Sequence, residues 1–196
     1  MRCLRRVFVL VAAAALLGAC SPDKPSFRSI DITGADYARD FKLADFNGQQ
    51  RTLADFRGKV VVVFFGFAQC PDVCPTALSD LVQVKQLLGA EGSKLQAVFI
   101  TLDPERDTAE VLKAYTANFD PEFVALRPTL EQLPEVARHF KIFYRKNEGK
   151  TAASYTLDHS AGSYVFDPQG RVRLYTRQGI KPEALAEDLR ILLRGR

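Results

Sequence analysis

The chain has no tryptophan, a single methionine at position 1, two histidines and four cysteines in 196 residues. With Met1 alone, no metal site or surface built on thioether sulfurs is available beyond the N-terminus. Four cysteines are too few for a disulfide-stapled secreted scaffold, which is shorter and richer in cysteine. The apolar stretch Val7 to Leu17 has eleven residues, short of the about 20 that a membrane-spanning helix needs. There is no internal repeat, no low-complexity tract and no basic stripe interleaved with aromatics, which argues against nucleic-acid binding. The formal charge of +4 is carried largely by Arg2, Arg5 and Arg6 in the first six residues; without them it falls to about +1. The alkaline balance therefore says little about partners.

The N-terminus has the order of an export signal: basic Arg2, Arg5 and Arg6, then the apolar run, then Leu17-Gly18-Ala19-Cys20. The last four residues resemble a bacterial lipobox, in which the cysteine is acylated and becomes the new N-terminus. On this reading residues 1–19 are a lipoprotein signal peptide, residues 20–36 are the lipidated Cys20 and a linker, and residues 37–196 are one domain. The alternatives are an ordinary cleaved signal and an uncleaved anchor with a chance cysteine. In each case the expected location is the bacterial cell envelope, with the domain held at a membrane and facing the periplasm or extracytoplasmic space. Inner and outer membrane are not distinguished. Cys3 leaves with the signal and Cys20 carries lipid, so the domain keeps one pair, Cys70 and Cys74.

Along the domain, 41–43 and 50–52 flank Asn47-Gly48, a hairpin signal. Residues 53–56 form a short turn or helix closed by Gly58. Residues 59–67 are a continuous apolar run, the pattern of a strand buried on both faces. A helix is expected from about Pro75 to Leu88, a second strand over 96–101, and a helix to about Ala117 capped by Asp107 or Thr108. Thr129 is placed to cap another helix, through about Phe140. Residues 142–145 and 155–157 read as short strands. Strands at 163–166 and 172–175 flank Asp167-Pro168-Gln169-Gly170, where proline fixes φ and glycine supplies a positive one. Lys181-Pro182-Glu183 opens a last helix. Strands alternating with helices, then a hairpin and a final helix, predict an α/β sandwich.

Cys70 and Cys74 follow the long apolar strand and stand at the start of the first long helix. On a helix, positions i and i+4 share a face, so the two sulfurs can meet one metal ion or each other. A helix N-terminus favours thiolate over thiol. A cysteine pair at this junction resembles the thioredoxin-like fold: a central mixed β-sheet flanked by helices, here with an N-terminal β-hairpin. Two departures matter. Three residues separate the cysteines where thioredoxin has two. The stretch 157–164 has no proline where thioredoxin has a cis-proline facing the pair, and His159 stands at about that place. The fold thus sets His159 opposite Cys70 and Cys74, and two thiolates with an imidazole suit copper or zinc, thiolates favouring Cu(I).

With those residues the chain resembles the Sco/SenC family of copper-binding assembly proteins. The matching segments are Phe65-Gly66-Phe67, Cys70-Pro71-Asp72-Val73-Cys74-Pro75, Thr101-Leu102-Asp103-Pro104-Glu105-Arg106-Asp107-Thr108, Tyr115, Tyr144-Arg145-Lys146, Asp158-His159-Ser160, Tyr164 and Asp167-Pro168-Gln169-Gly170. They span roughly residues 37–195. Ala68-Gln69 and Arg127-Pro128-Thr129 depart from the pairs and triplets the family often has there. The resemblance implies a membrane-tethered metallochaperone with Cys70, Cys74 and His159 as copper ligands, for Cu(I) or Cu(II). It implies cytochrome c oxidase, through the subunit carrying the CuA site, as partner, with a periplasmic copper donor or thiol reductant upstream.

Simpler roles compete for each residue. The cysteine pair could be a structural disulfide and His159 a hydrogen-bonded core histidine; His139 reads as a half-exposed helical residue. Asp103 either orders its loop ahead of the helix, supports the site from behind or serves partner recognition, and Asp158 or Asp72 could lend an oxygen to Cu(II). The competing function is a thiol–disulfide oxidoreductase that reduces the CuA-site cysteines, or a redox sensor, with Cys70 and Cys74 as the redox-active pair. A zinc or scaffolding lipoprotein is the third reading, and it lacks a general base near the pair.

Overall fold

A computed structural model describes residues 25–151 and 154–195. The signal segment, Cys20 and the first part of the linker lie outside the described residues.

The strands are β1 (Ile30–Asp31), β2 (Leu43–Asp45), β3 (Gln50–Arg51), β4 (Val60–Gly66), β5 (Leu95–Thr101), β6 (Val124–Arg127), β7 (Tyr144–Asn147), β8 (Thr156–His159), β9 (Ser163–Phe166) and β10 (Val172–Thr176). The helices are α1 (Val73–Leu88), α2 (Ala109–Ala117), α3 (Leu133–His139) and α4 (Pro182–Leu193). Eight strands form one sheet in the order β1-β10-β9-β4-β5-β6-β2-β3; β7 and β8 form a separate two-stranded ribbon. The neighbours β4, β5 and β6 are parallel and the other pairings antiparallel. This is a thioredoxin-like α/β fold with an N-terminal hairpin.

Every residue of β4 and β5 is buried, as the unbroken Val60-Val61-Val62-Val63-Phe64-Phe65 run requires of a strand covered on both faces. Helix α1 presents Cys74, Leu78, Leu81, Val84 and Leu88 to the core and packs against α4, which contributes Leu185, Leu189 and Leu192. Each such aliphatic side chain contributes about 1.5–3 kcal/mol by leaving water. Helix α2 lies on β6, capped by Thr108, whose hydroxyl accepts the Val111 N–H at 3.3 Å.

Three local expectations shift, and one strand is new. Helix α1 begins at Val73, two residues before Pro75, so the proline occupies the first turn, where its missing N–H costs nothing. Thr129 caps a turn ahead of α3 rather than the helix itself: its hydroxyl accepts the Gln132 N–H and the Gln132 side chain accepts the Thr129 N–H. Strand β6 was not anticipated; only four residues long, it completes the parallel trio beside β5. The strands expected at 142–145 and 155–157 lie one or two residues further on, which brings His159 into β8 opposite Tyr144. The N-terminal hairpin is present, its turn held by the Asp45 carboxylate, which accepts the N–H groups of Asn47 and Gln49.

Candidate metal centre

The parallel strands β4 and β5 end at Gly66 and Thr101, and the site lies just beyond those ends, where α/β folds gather ligands. Cys74 is the second residue of α1 and is buried; Cys70 precedes the helix and is half-buried. The two therefore do not share a helical face, contrary to the i, i+4 reading. The chain instead turns back on itself. The Cys70 N–H donates to the Phe67 carbonyl at 3.1 Å, and the Cys74 N–H, at the start of the helix, donates to the Cys70 sulfur at 3.4 Å.

Both cysteines are free thiols, and their environments push them apart. The hydrogen bond from Cys74 draws the Cys70 pKa down to about 5, against the opposing effect of burial, with help from the N–H groups of Cys74 and Asp72. Cys74 moves the other way, because it is the proton donor to Cys70 and is buried. At neutral pH the pair holds one proton between them: Cys70 is the half-buried thiolate, Cys74 the buried thiol.

His159 closes the site from β8. Its Nδ1 lies 2.9 Å from the Ser160 carbonyl. A carbonyl only accepts, so Nδ1 carries the hydrogen and Nε2 keeps its lone pair. Nε2 lies 3.6 Å from the Cys74 sulfur, and the rings of Phe64 and Phe67 stand edge-on to the imidazole. The donor atoms of Cys70, Cys74 and His159 all lie within 4.8 Å of one another. Two sulfurs and a fixed imidazole nitrogen in a partly apolar setting form a soft donor set suited to copper and, less selectively, zinc. The second-atom hydrogen bond from Nδ1 is the support metal-bound histidines ordinarily have.

Asp103 sits behind the site. One carboxylate oxygen accepts the Tyr155 hydroxyl at 2.6 Å and the other the Arg106 guanidinium at 2.6 Å. Asp158 is turned to solvent, in an ion pair with Arg145 at 2.8 Å, and does not join the three-residue cluster. Asp72 is exposed and its side chain makes no cap bond to α1. His139 ends α3, half-buried, its Nε2 accepting the Arg39 N–H at 3.0 Å.

Three contributors were assigned no role at this site from the sequence, Asp107 being read there only as a helix cap alternative to Thr108. Gly66 passes so close to Cys74 that a Cβ there would lie 2.6 Å from the sulfur. Asp107 is 1% exposed; it accepts the Ala68 N–H at 3.0 Å and the Thr101 hydroxyl, and burial raises its pKa. Arg106 donates to Gln69, beside Cys70, as well as to Asp103. The departures from the family pattern are also accounted for: Gln69 accepts from Arg106, and Arg127 donates to the carbonyls of Pro104 and Asp107, stiffening the loop after β5.

The family model described as SCO1/SenC matches residues 31–194. An SCO2-like protein of Rickettsia felis is 34% identical over 178 residues, 89% of this chain and 87% of that protein. The mitochondrial SCO2 homolog of Bos taurus is 37% identical over 153 residues, 77% of this chain but only 58% of that protein. Among solved structures, Bradyrhizobium japonicum ScoI with copper bound superposes with a TM-score of 0.70 at 35% identity, covering 78% of this chain and 97% of that one.

Proposed function

The chain belongs to the SCO1/SenC family, and from that premise we propose that it binds copper through Cys70, Cys74 and His159 and delivers it to the CuA centre of cytochrome c oxidase during assembly. The observation that carries this reading is the convergence of those three donors within 4.8 Å, with the imidazole already in the ligating tautomer. Copper is read as cargo. The Cys70 thiolate is available first; Cys74 gives up its proton as the ion displaces the hydrogen bond between the sulfurs. Cys70 and His159 are both half-exposed, so a recipient thiolate can approach and take the ion by exchange of ligands. Acylation of Cys20 would hold the domain at the envelope membrane, facing the extracytoplasmic space where CuA sites are built.

One observation favours a second reading. A thiolate with a pKa of about 5 beside a buried partner thiol is also the arrangement of a dithiol reductant. Cys70 would attack a disulfide and release one recipient thiolate. Cys74, losing its proton, would then attack the Cys70 sulfur and release the second. The recipient gains two electrons and Cys70–Cys74 become the disulfide.

The two readings separate in one experiment. The copper-loaded protein is mixed with the metal-free, dithiol form of a CuA-bearing subunit domain, and the CuA absorption is followed. Appearance of CuA from wild-type protein, and its loss with His159→Ala, supports delivery. No transfer, with reduction of the disulfide form of that domain by metal-free protein at a rate unaffected by His159→Ala, supports the reductant.

A further inference from the structure

His159 belongs to a ribbon that shares no ladder with the eight-stranded sheet, whereas Cys70 and Cys74 follow the central strand β4. Something must hold the ribbon at metal-binding distance from the cysteine loop. At the His159 end, Ser160 exchanges hydrogen bonds with Phe143, the residue before β7, within the ribbon, and the His159 ring packs against Phe64, Phe67 and the Cys74 sulfur. Lys146 of β7 pairs with Glu105 at 3.3 Å. A further tie, to the loop that carries Cys70, is at the ribbon's other end.

We propose that Arg106 is the positioning residue of the metal centre, bracing the segment that carries His159 against the loop that carries Cys70. This rests on the reading of Cys70, Cys74 and His159 as the copper ligands. Arg106 Nη1 donates to the Tyr155 carbonyl, immediately before β8, at 2.9 Å, and to Gln69 Oε1, immediately before Cys70, at 3.0 Å. Its Nε donates to Asp103 at 2.6 Å. The guanidinium carbon lies 3.5 Å from the centre of the Tyr155 ring, and the hydroxyl of that ring closes the circuit on the other Asp103 oxygen. One planar cation thus touches both ligand-bearing segments, stacked on one side and anchored by a carboxylate that is 3% exposed.

The geometry requires arginine. A lysine ammonium keeps the charge and can reach the carboxylate, but all its hydrogens sit on one nitrogen, so it cannot hold Asp103 from one nitrogen and the Tyr155 and Gln69 oxygens from another while lying flat on the ring. If Arg106 only ordered its own loop through the i, i+3 pair with Asp103, lysine would serve nearly as well. The brace predicts that it does not.

The test uses wild-type protein, Arg106→Lys, Gln69→Ala and His159→Ala. Copper affinity and the sulfur-to-copper absorption are measured by titration, and amide hydrogen exchange is followed in the metal-free protein. The expected result for Arg106→Lys is a loss of copper affinity of about 10–100-fold, the range for outer partners of metal ligands. A shift in the His159-dependent part of the spectrum and faster exchange over 68–72 and 154–160 accompany it. Gln69→Ala, on an exposed side chain, gives a smaller loss in the same direction. Folded Arg106→Lys with wild-type affinity, spectrum and exchange overturns the brace. If Arg106→Lys does not fold, wild-type values in Gln69→Ala overturn it instead. A wild-type signal that does not depend on His159 overturns the ligand assignment, and the exchange data then still decide whether Arg106 ties the two segments.

Discussion

Gly66 lies directly against Cys74: a Cβ on Gly66 would sit 2.6 Å from the sulfur and 2.9 Å from the Phe99 ring. The last residue of the central strand is therefore the floor of the candidate metal centre, and the absence of a side chain there is what lets the buried sulfur occupy its place. Gly66→Ala forces either the Cys74 sulfur or the Phe99 ring aside. Overpacking of this kind costs about 1–3 kcal/mol, to be read from urea denaturation. Under the proposed ligand set copper affinity falls with it, because the atom displaced is one of the three donors. An unchanged copper affinity in the folded variant would show that Cys74 tolerates the shift or does not ligate.

The thiolate character of Cys70 gives a pH signature. Below a pKa of about 5 the group is a thiol and reacts slowly with iodoacetamide; above it the thiolate form is filled and the rate levels off. An ordinary cysteine would instead climb through pH 8–9. In the reduced, metal-free protein, alkylation mapped by peptide mass should show Cys70 modified on a plateau from about pH 6 to 8, with Cys74 protected. A Cys70 profile that still rises through pH 8 contradicts this assignment of the proton.

Asp107 separates two substitutions that look alike. Asp107→Ala leaves the Ala68 N–H and the Thr101 hydroxyl without their acceptor, at a cost of about 1–3 kcal/mol for each buried group left unpaired. Asp107→Asn retains an oxygen for Ala68. The raised carboxyl pKa means that the folded state is penalised for ionising Asp107, and this penalty is absent below the unfolded-state pKa and grows as pH rises. Removing the charge is then close to neutral or mildly stabilising at pH 7. Melting temperatures of the two variants should fall on opposite sides of a wide gap. Equal losses would mean that the negative charge itself is needed.

Much of this was legible because single strong patterns carried it. The apolar run 59–67 has the pattern of a strand buried on both faces, and Asp167-Pro168-Gln169-Gly170 has the chemistry of a turn. The cysteine pair and His159 could be brought together once the fold placed β8 near the strand end. The geometry between the cysteines was not legible, because it depends on where α1 starts. A start at Val73 leaves Cys70 in a loop, and the contact comes from the Cys74 N–H reaching back. Strand β6 was too short to display a period. The Arg106–Tyr155–Asp103 circuit joins residues about fifty positions apart through one guanidinium plane, and nothing in local pattern announces such a meeting. Gly66 was visible within a motif, but its reason, clearance for a sulfur, appears only in three dimensions.

Copper titration of reduced protein, wild type against His159→Ala, followed by absorption and electron paramagnetic resonance, tests directly whether Cys70, Cys74 and His159 hold the ion together. The wild type should hold one equivalent of copper tightly, with strong sulfur-to-copper charge-transfer bands and nitrogen coupling. His159→Ala should remain folded, lose the nitrogen coupling and bind copper far more weakly. Identical affinity and spectra in the two proteins, or oxidation of Cys70 and Cys74 to a disulfide with no stable copper complex in either, would contradict that ligand set.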